Sequence, residues 1–226
     1  MPNSRVFTEA YKPYCLEVFY GPMWSKKTLN VLIRLDILKR KRIPYQVFKP
    51  RIDTRYFPDA IVSRFDSFTD RPHDDVSRFL REPAEVFDER SPEGIVEALR
   101  PGTRVVVISE VQLARDDIAE VVSFLQKRGL YLICEGLNLD YTGEYFSHGM
   151  SNIINRATHP HSLHAVCNHP GCAEAAYFTQ KLQPDGSPAP YVPQRRDRLA
   201  IGDYCYEPRC ILHHRVPGRP ELPDRA

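Results

Sequence analysis

Leu16-Glu-Val-Phe-Tyr20-Gly21-Pro-Met-Trp-Ser-Lys-Lys27-Thr28-Leu29 is the stretch that decides the fold. A short apolar strand runs into a loop, then Lys-Thr, then a helix with apolar residues at helical spacing. This order matches the phosphate-binding loop Gly-x-x-x-x-Gly-Lys-Thr, except that Lys26 occupies the second glycine position. In such a loop, backbone N–H groups and the helix N-terminus surround phosphate, the lysine adds charge and the threonine hydroxyl holds Mg²⁺. Gly21, Met23, Ser25, Lys26, Lys27 and Thr28 are therefore the candidate phosphate contacts, with Thr28 also at the metal. Glycine at position 26 would let the backbone approach phosphate without a Cβ, so lysine there is expected to cost strain.

Working outward, residues 1–15 read as a lead-in. Leu29, Leu32, Ile33 and Ile37 recur at helical spacing and predict the buried face of the first helix, which Pro44 stops. Lys39-Arg-Lys-Arg42 suits a helix C-terminus, where cations complement the dipole, better than a nucleic-acid contact. Residues 45–48 read as a second strand, 50–82 as a long functional loop rich in Asp, Arg, Pro and Ser, 85–87 as a strand and 92–99 as a helix. Residues 104–108 form a β-branched run typical of a central parallel strand. Asp116 or Asp117 is expected to cap the next helix, with Ile118, Val121, Val122 and Leu125 as its stripe and Gly129 as its end. Residues 130–134 are again an apolar strand. The alternation predicts an α/β, P-loop NTPase-like core over residues 16–160, with a mostly parallel sheet flanked by helices.

After residue 160 the texture changes to cysteine, histidine and proline, which predicts a small second module over 161–214 and a disordered tail over 215–226. Four of the six cysteines, Cys167, Cys172, Cys205 and Cys210, fall there. No apolar run approaches membrane-spanning length and residues 1–15 are too polar for a secretory signal, so a cytoplasmic protein is expected. Clustered thiols in that setting point to metal rather than disulfides. The 31 Lys+Arg nearly balance the 29 Asp+Glu, which leaves no global field to favour nucleic acid or a membrane as partner. Glu110, after the strand Val105-Val-Val-Ile108, sits where a carboxylate emerges at the carboxyl edge of such a sheet, or is simply a solvated glutamate. His159, His161 and His164 read as a surface loop.

Gly-Pro-Met-Trp-Ser-x-Lys-Thr from Gly21, Val-Phe-Lys-Pro-x-Ile-Asp-x-Arg-Tyr from Val47, Ser109-Glu110-x-Gln112, Gly136-Leu-Asn-Leu-Asp140-Tyr141, Ala165-Val-Cys167 and Tyr206-Glu-x-Arg-Cys210-x-x-His213-His214 follow one another in order. Together they resemble the type II thymidine kinases, from about Leu16 to His214. The resemblance implies ATP with Mg²⁺, a pyrimidine deoxynucleoside as acceptor, a zinc-binding lasso domain and a homo-oligomer, usually a tetramer. Glu110 would be the general base for the 5′-hydroxyl of thymidine. Asp53 and Arg55 would lie at the magnesium and phosphate side. Gln112, Tyr141, Phe146 and Tyr206 would surround the base, and Leu199, Ala200, Ile201 and Gly202 would read it through backbone groups. Cys167, Cys172, Cys210 and His213 would hold a structural zinc, with Cys205, His169 and His214 as alternative fourth ligands. Cys167-x₄-Cys172 is two residues longer than the family's Cys-x₂-Cys. Ser109 stands where an aspartate belongs, Leu113-Ala114 where a Phe-Phe pair belongs, and Asn138 where an acidic residue belongs. A non-catalytic nucleotide-binding protein on the same scaffold is the alternative.

Overall fold

A parallel strand in the middle of a sheet is covered on both faces, so every side chain along it must tolerate burial. Val105–Ile108 (β6) and Tyr131–Gly136 (β7) meet that demand, all of their residues being buried, and they lie at the centre of the sheet. The computed structural model describes residues 11–64, 79–194 and 205–220. Its main sheet comprises Leu16–Tyr20 (β1), Tyr45–Pro50 (β2), Glu85–Phe87 (β5), β6, β7 and His159–Ser162 (β8) in the order β5-β2-β6-β7-β1-β8. Every pairing in it is parallel.

Alternate residues feed two cores. On one face Val31, Leu35 and Leu38 of Lys27–Arg40 (α1) pack with Phe19, Val47, Val105, Val107 and Ile133. On the other, Ile95 of Gly94–Glu97 (α2), Ile118 and Leu125 of Ile118–Lys127 (α3), and Met150 and Ile153 of His148–Arg156 (α4) pack with Val18, Val106, Ile108 and Leu132. This is the predicted class, a parallel sheet between helical layers.

The details differ in instructive ways. The predicted stripe of α1 is only partly right: Leu32 packs against the core, but Ile33 is 49% exposed, whereas Val31 and Leu35 are fully buried. The helix carries apolar residues on two overlapping registers, and the sheet takes only one. Residues 50–82 are not one loop, because Ala60–Arg64 (β3) and Phe79–Pro83 (β4) pair antiparallel; the apolar run in β3 is only Ala60-Ile-Val62, too short to stand out among its polar neighbours. The α1 helix ends before Pro44, on Arg42 at φ 53°, with Ile43 N–H donating to Leu38 O at 3.0 Å. Asp117 stands at the N-cap of α3 without a side-chain capping bond, and Asp116 Oδ1 accepts from Gly149 N at 2.8 Å and ties α4 to α3. The helix over 92–99 is only the single turn α2.

The α4 helix, capped by Ser147 at Met150 N, leads into β8, so the sheet runs on to Ser162. His159 and His161 therefore belong to a sheet strand rather than a surface loop; His161 stacks on Phe19 and bonds buried Glu17 at 2.9 Å.

Ala165–Val166 (β9) pairs with Ala175–Ala176 (β10), and Phe178–Leu182 (β11) with Cys205–Arg209 (β12), both antiparallel. Residues 215–220, expected in a disordered tail, are held: Gln180 Oε1 accepts from Arg215 N at 2.8 Å, and Arg219 Nη1 donates to Thr142 O at 2.7 Å. Residues 221–226 lie outside the described residues. Among the described residues, no helix is long and apolar enough to cross a membrane.

Candidate active site and metal cluster

The loop joining β1 to α1 is sharply shaped. Gly21 has φ 149°, and a Cβ there would stand 2.2 Å from Leu163 O, so only glycine fits. Lys26 is left-handed at φ 63°, ψ 27°, the conformation glycine adopts freely and an L side chain resists. Ser25 Oγ donates to Pro22 O at 2.8 Å, and Lys27 Nζ donates to the same oxygen at 2.7 Å, so both close the loop on itself. Met23 N–H is already engaged, donating to Thr179 Oγ1 on β11 at 3.0 Å, and Trp24 Nε1 donates to Tyr206 O at 3.1 Å. The loop is thus fastened to the C-terminal module.

Lys26, Lys27, Thr28, Asp53, Arg55 and Glu110 line one cavity at the carboxyl edge of the sheet, together with Lys49, Ser109 and Leu137. Arg55 organises its charge. Its Nη2 lies 2.6 Å from Glu110 Oε1 and its Nε 2.7 Å from Asp53 Oδ1. Glu110 above all, then Asp53, raises the guanidinium pKa against the effect of burial. Burial pushes Asp53 up, but Arg55 and Lys49, 3.4 Å from Asp53 Oδ2, overcome it and hold the carboxyl below its usual range. Burial pulls the Lys27 ammonium down against the charges of Glu135 and Glu110. Glu110 itself is left-handed at φ 51°, ψ 42°, a strained placement for a side chain that must point into the cavity. Gln112 Nε2 donates to Glu110 Oε2 at 2.5 Å, and Gln112 Oε1 accepts from Leu137 N, which orients the carboxylate from below.

Glu135 was not foreseen. It lies one residue past the predicted strand 130–134, is fully buried on β7, and accepts through Oε1 from Ser109 Oγ, from Glu110 N at 3.4 Å and from Thr28 Oγ1 at 3.5 Å. Burial, and after it the negative charge of Glu110, pushes its pKa up to about 7. The available signal was a glutamate at the carboxyl end of an apolar strand, the same signal that singled out Glu110.

The expected base-binding residues are less gathered. Tyr206 faces a neighbouring cleft shared with Trp24 and Lys26. Tyr141 is buried and donates to Pro190 O at 2.9 Å, and Phe146 N–H donates to Asn138 O at 3.0 Å; neither lines the two cavities. Leu199, Ala200, Ile201 and Gly202 lie outside the described residues.

Cys167, Cys172, Cys210 and His213 converge, their ligand atoms all within 4.8 Å of one another. Cys210 Sγ and Cys167 Sγ are 3.3 and 3.7 Å from His213 Nδ1, and Cys172 Sγ is 4.0 Å from Cys210 Sγ. Tetrahedral zinc with ordinary Zn–S and Zn–N bonds has edges of about 3.5–3.8 Å, so the donor set and its spacing fit a closed four-coordinate site. The alternative ligands do not join this cluster. His214 Nε2 bonds Tyr141 O at 2.9 Å, Cys205 is exposed on β12, and His169 stacks on the His213 ring. The two extra residues between Cys167 and Cys172 are accommodated by a turn, with Cys172 N–H donating to His169 O.

The thymidine kinase family model matches residues 14–214, nearly the whole chain and both parts of this site. The chain belongs to the thymidine kinase family. Among curated relatives, a protein of Ureaplasma parvum serovar 3 named thymidine kinase is 34% identical over 212 residues, covering 92% of this chain and 85% of its own. Another of the same name from Thermococcus kodakarensis is 34% identical over 210 residues, covering 89% of this chain and 94% of its own. The matched range takes in the loop, Glu110 and the cysteine cluster alike.

Proposed function

We propose that this protein transfers the γ-phosphoryl group of ATP to the 5′-hydroxyl of thymidine or a related pyrimidine deoxynucleoside. The observation that carries this reading is the convergence of Lys27, Thr28, Arg55 and Glu110 on one cavity at the sheet edge. Family membership and the relatives' names support the choice of nucleoside.

Phosphoryl transfer asks little covalent chemistry of the protein; position and charge do the work. Thr28 would hold Mg²⁺, with Asp53 on the same side of the cavity, and the ion would supply charge against the polyphosphate of ATP. Glu110 accepts the proton of the 5′-hydroxyl, with Arg55 and Gln112 keeping its carboxylate aimed. Lys27 and Arg55 offset the charge that develops on the transferred group. Gly21, Ser25 and Lys26 shape the loop around the phosphates, while Met23 links that loop to β11. Tyr206, Tyr141 and Phe146, with 199–202, belong to the base side of this reading. Cys167, Cys172, Cys210 and His213 would hold a structural zinc, which stabilises a module with little apolar core of its own. A homo-oligomer belongs to the same reading, and sedimentation measures it.

The test is purified protein with ATP, Mg²⁺ and labelled thymidine, assayed for the monophosphate beside Glu110→Gln. Glu110→Gln is expected to lose about 10²–10⁴ in kcat while retaining ATP binding. Wild-type turnover in Glu110→Gln refutes the base assignment. Nucleoside binding without turnover in the wild type favours a non-catalytic relative, a reading to which left-handed Lys26 and uncharged Ser109 lend some support.

A further inference from the structure

A cation beside a phosphate loop needs a full negative charge near the loop's hydroxyl, which P-loop enzymes take from an acidic residue at a strand end. At the end of β6 this chain carries Ser109, an oxygen without a charge. The charge lies one strand over. The β7 strand sits between β6 and β1 in the sheet, and Glu135 pairs in register with Phe19, one residue before Tyr20 ends β1.

Three carboxylates approach this edge, and two are committed. Asp53 is held between Arg55 and Lys49, and Glu110 between Arg55 and Gln112. Glu135 differs: it has no exposed surface, and its Oε2 has no hydrogen-bond partner among the described residues. Its Oε1 gathers the hydroxyls of Ser109 and Thr28. Both hydroxyls belong to residues that line the cavity, whereas Glu135 does not. A hydroxyl that donates its proton backward to a carboxylate presents its lone pairs forward. A buried carboxylate with an orphan oxygen is costly unless a cation comes close enough to compensate it.

We propose that Glu135 carries the negative charge of the magnesium shell in this chain, acting through the hydroxyls of Thr28 and Ser109. Glu135 is then a positioning residue, and Ser109 relays its charge from the strand end where an acidic residue is otherwise expected. This assignment rests on the reading of the site as a nucleotide-phosphate pocket.

The experiment is isothermal titration of the full chain with ATP, once in Mg²⁺ and once in EDTA, with Mn²⁺ paramagnetic resonance as a direct readout of the metal. Wild type is expected to bind ATP more tightly with Mg²⁺. Glu135→Gln, nearly the same shape without the charge, should lose about tenfold or more of that gain and weaken Mn²⁺ by a similar factor. Its affinity in EDTA should be unchanged or higher. Returning a carboxylate to β6 in Ser109→Asp/Glu135→Gln should restore metal dependence, and this pair carries the test if Glu135→Gln alone fails to fold. A folded Glu135→Gln with wild-type Mn²⁺ and Mg²⁺–ATP affinities overturns the proposal, as does a folded double variant with no metal-dependent gain. Wild-type protein that takes up no ATP in either buffer removes the phosphate-pocket reading itself, a result distinct from both.

Discussion

Consider Lys26→Gly. Lys26 holds φ 63° and ψ 27°, so the strain of its Cβ is built into the folded loop. A left-handed non-glycine residue costs roughly 1–2 kcal/mol. Glycine gives back about 0.5–1 kcal/mol through the greater freedom of the unfolded chain. Taken at the middle of both ranges, the difference leaves the variant more stable by about 0.75 kcal/mol, a rise in melting temperature of about 1.5–3 °C for a chain of this size. Relief of that strain should appear in folding stability. ATP affinity should fall modestly, since an ammonium lining the cavity is lost. Thermal unfolding followed by circular dichroism measures the first effect, and titration with ATP the second. Lys26→Ala is the control, keeping the Cβ while losing the charge, and should lose affinity without gaining stability. A glycine variant that melts at or below the wild-type temperature, or no higher than the alanine variant, refutes the strain argument.

Other expectations follow from the core and the metal cluster. Glu17 is buried against Arg34, His161 and Tyr131; burial raises its pKa, but hydrogen bonds from His161 and Arg34 outweigh that and leave it lowered from 4.5. A lowered folded pKa means stability that is present above the ordinary glutamate value and lost as pH falls through the folded one. Denaturant titrations should therefore show wild type weakening below about pH 4.5 relative to Glu17→Gln, itself less stable at neutral pH by about 1–3 kcal/mol. Leu35→Ala should cost about 2–5 kcal/mol and Ile33→Ala within about 0.5 kcal/mol, the reverse of what the predicted helix face requires. Removing metal with a strong chelator, or substituting Cys210→Ser, should lower the melting temperature and release about one zinc per chain, read by a colorimetric indicator; retained stability with no zinc would reject a structural ion.

What could be read without coordinates was whatever local chemistry alone dictates. The strands read at 104–108 and 130–134, which form at 105–108 and 131–136, announce themselves because burial on both faces demands a run of apolar residues. Gly21, Lys27 and Thr28 announce the loop because phosphate binding asks for specific residue types at fixed spacing. The cysteines stand out for the same reason, and His213 rather than His214 or Cys205 then meets them in space. Charge at 39–42 reads correctly as a helix end, where Lys39 pairs with Glu82 and Arg40 with Asp36.

The rest depended on what lies opposite. Two helical registers of α1 are equally apolar, and only the sheet beneath chooses Val31, Leu35 and Leu38. The β3–β4 hairpin gains its conformation from the pairing of its own two strands, and β8, His-Pro-His-Ser, from the free edge of β1. Glu135 comes within hydrogen-bond reach of Thr28 across 107 residues of chain because β1 and β7 pair in parallel, which brings the two strand ends to the same edge. Periodicity and motif spacing are properties of neighbours along the chain. Which buried carboxylate sits behind which hydroxyl is a property of packing, and it exists only once the sheet has formed.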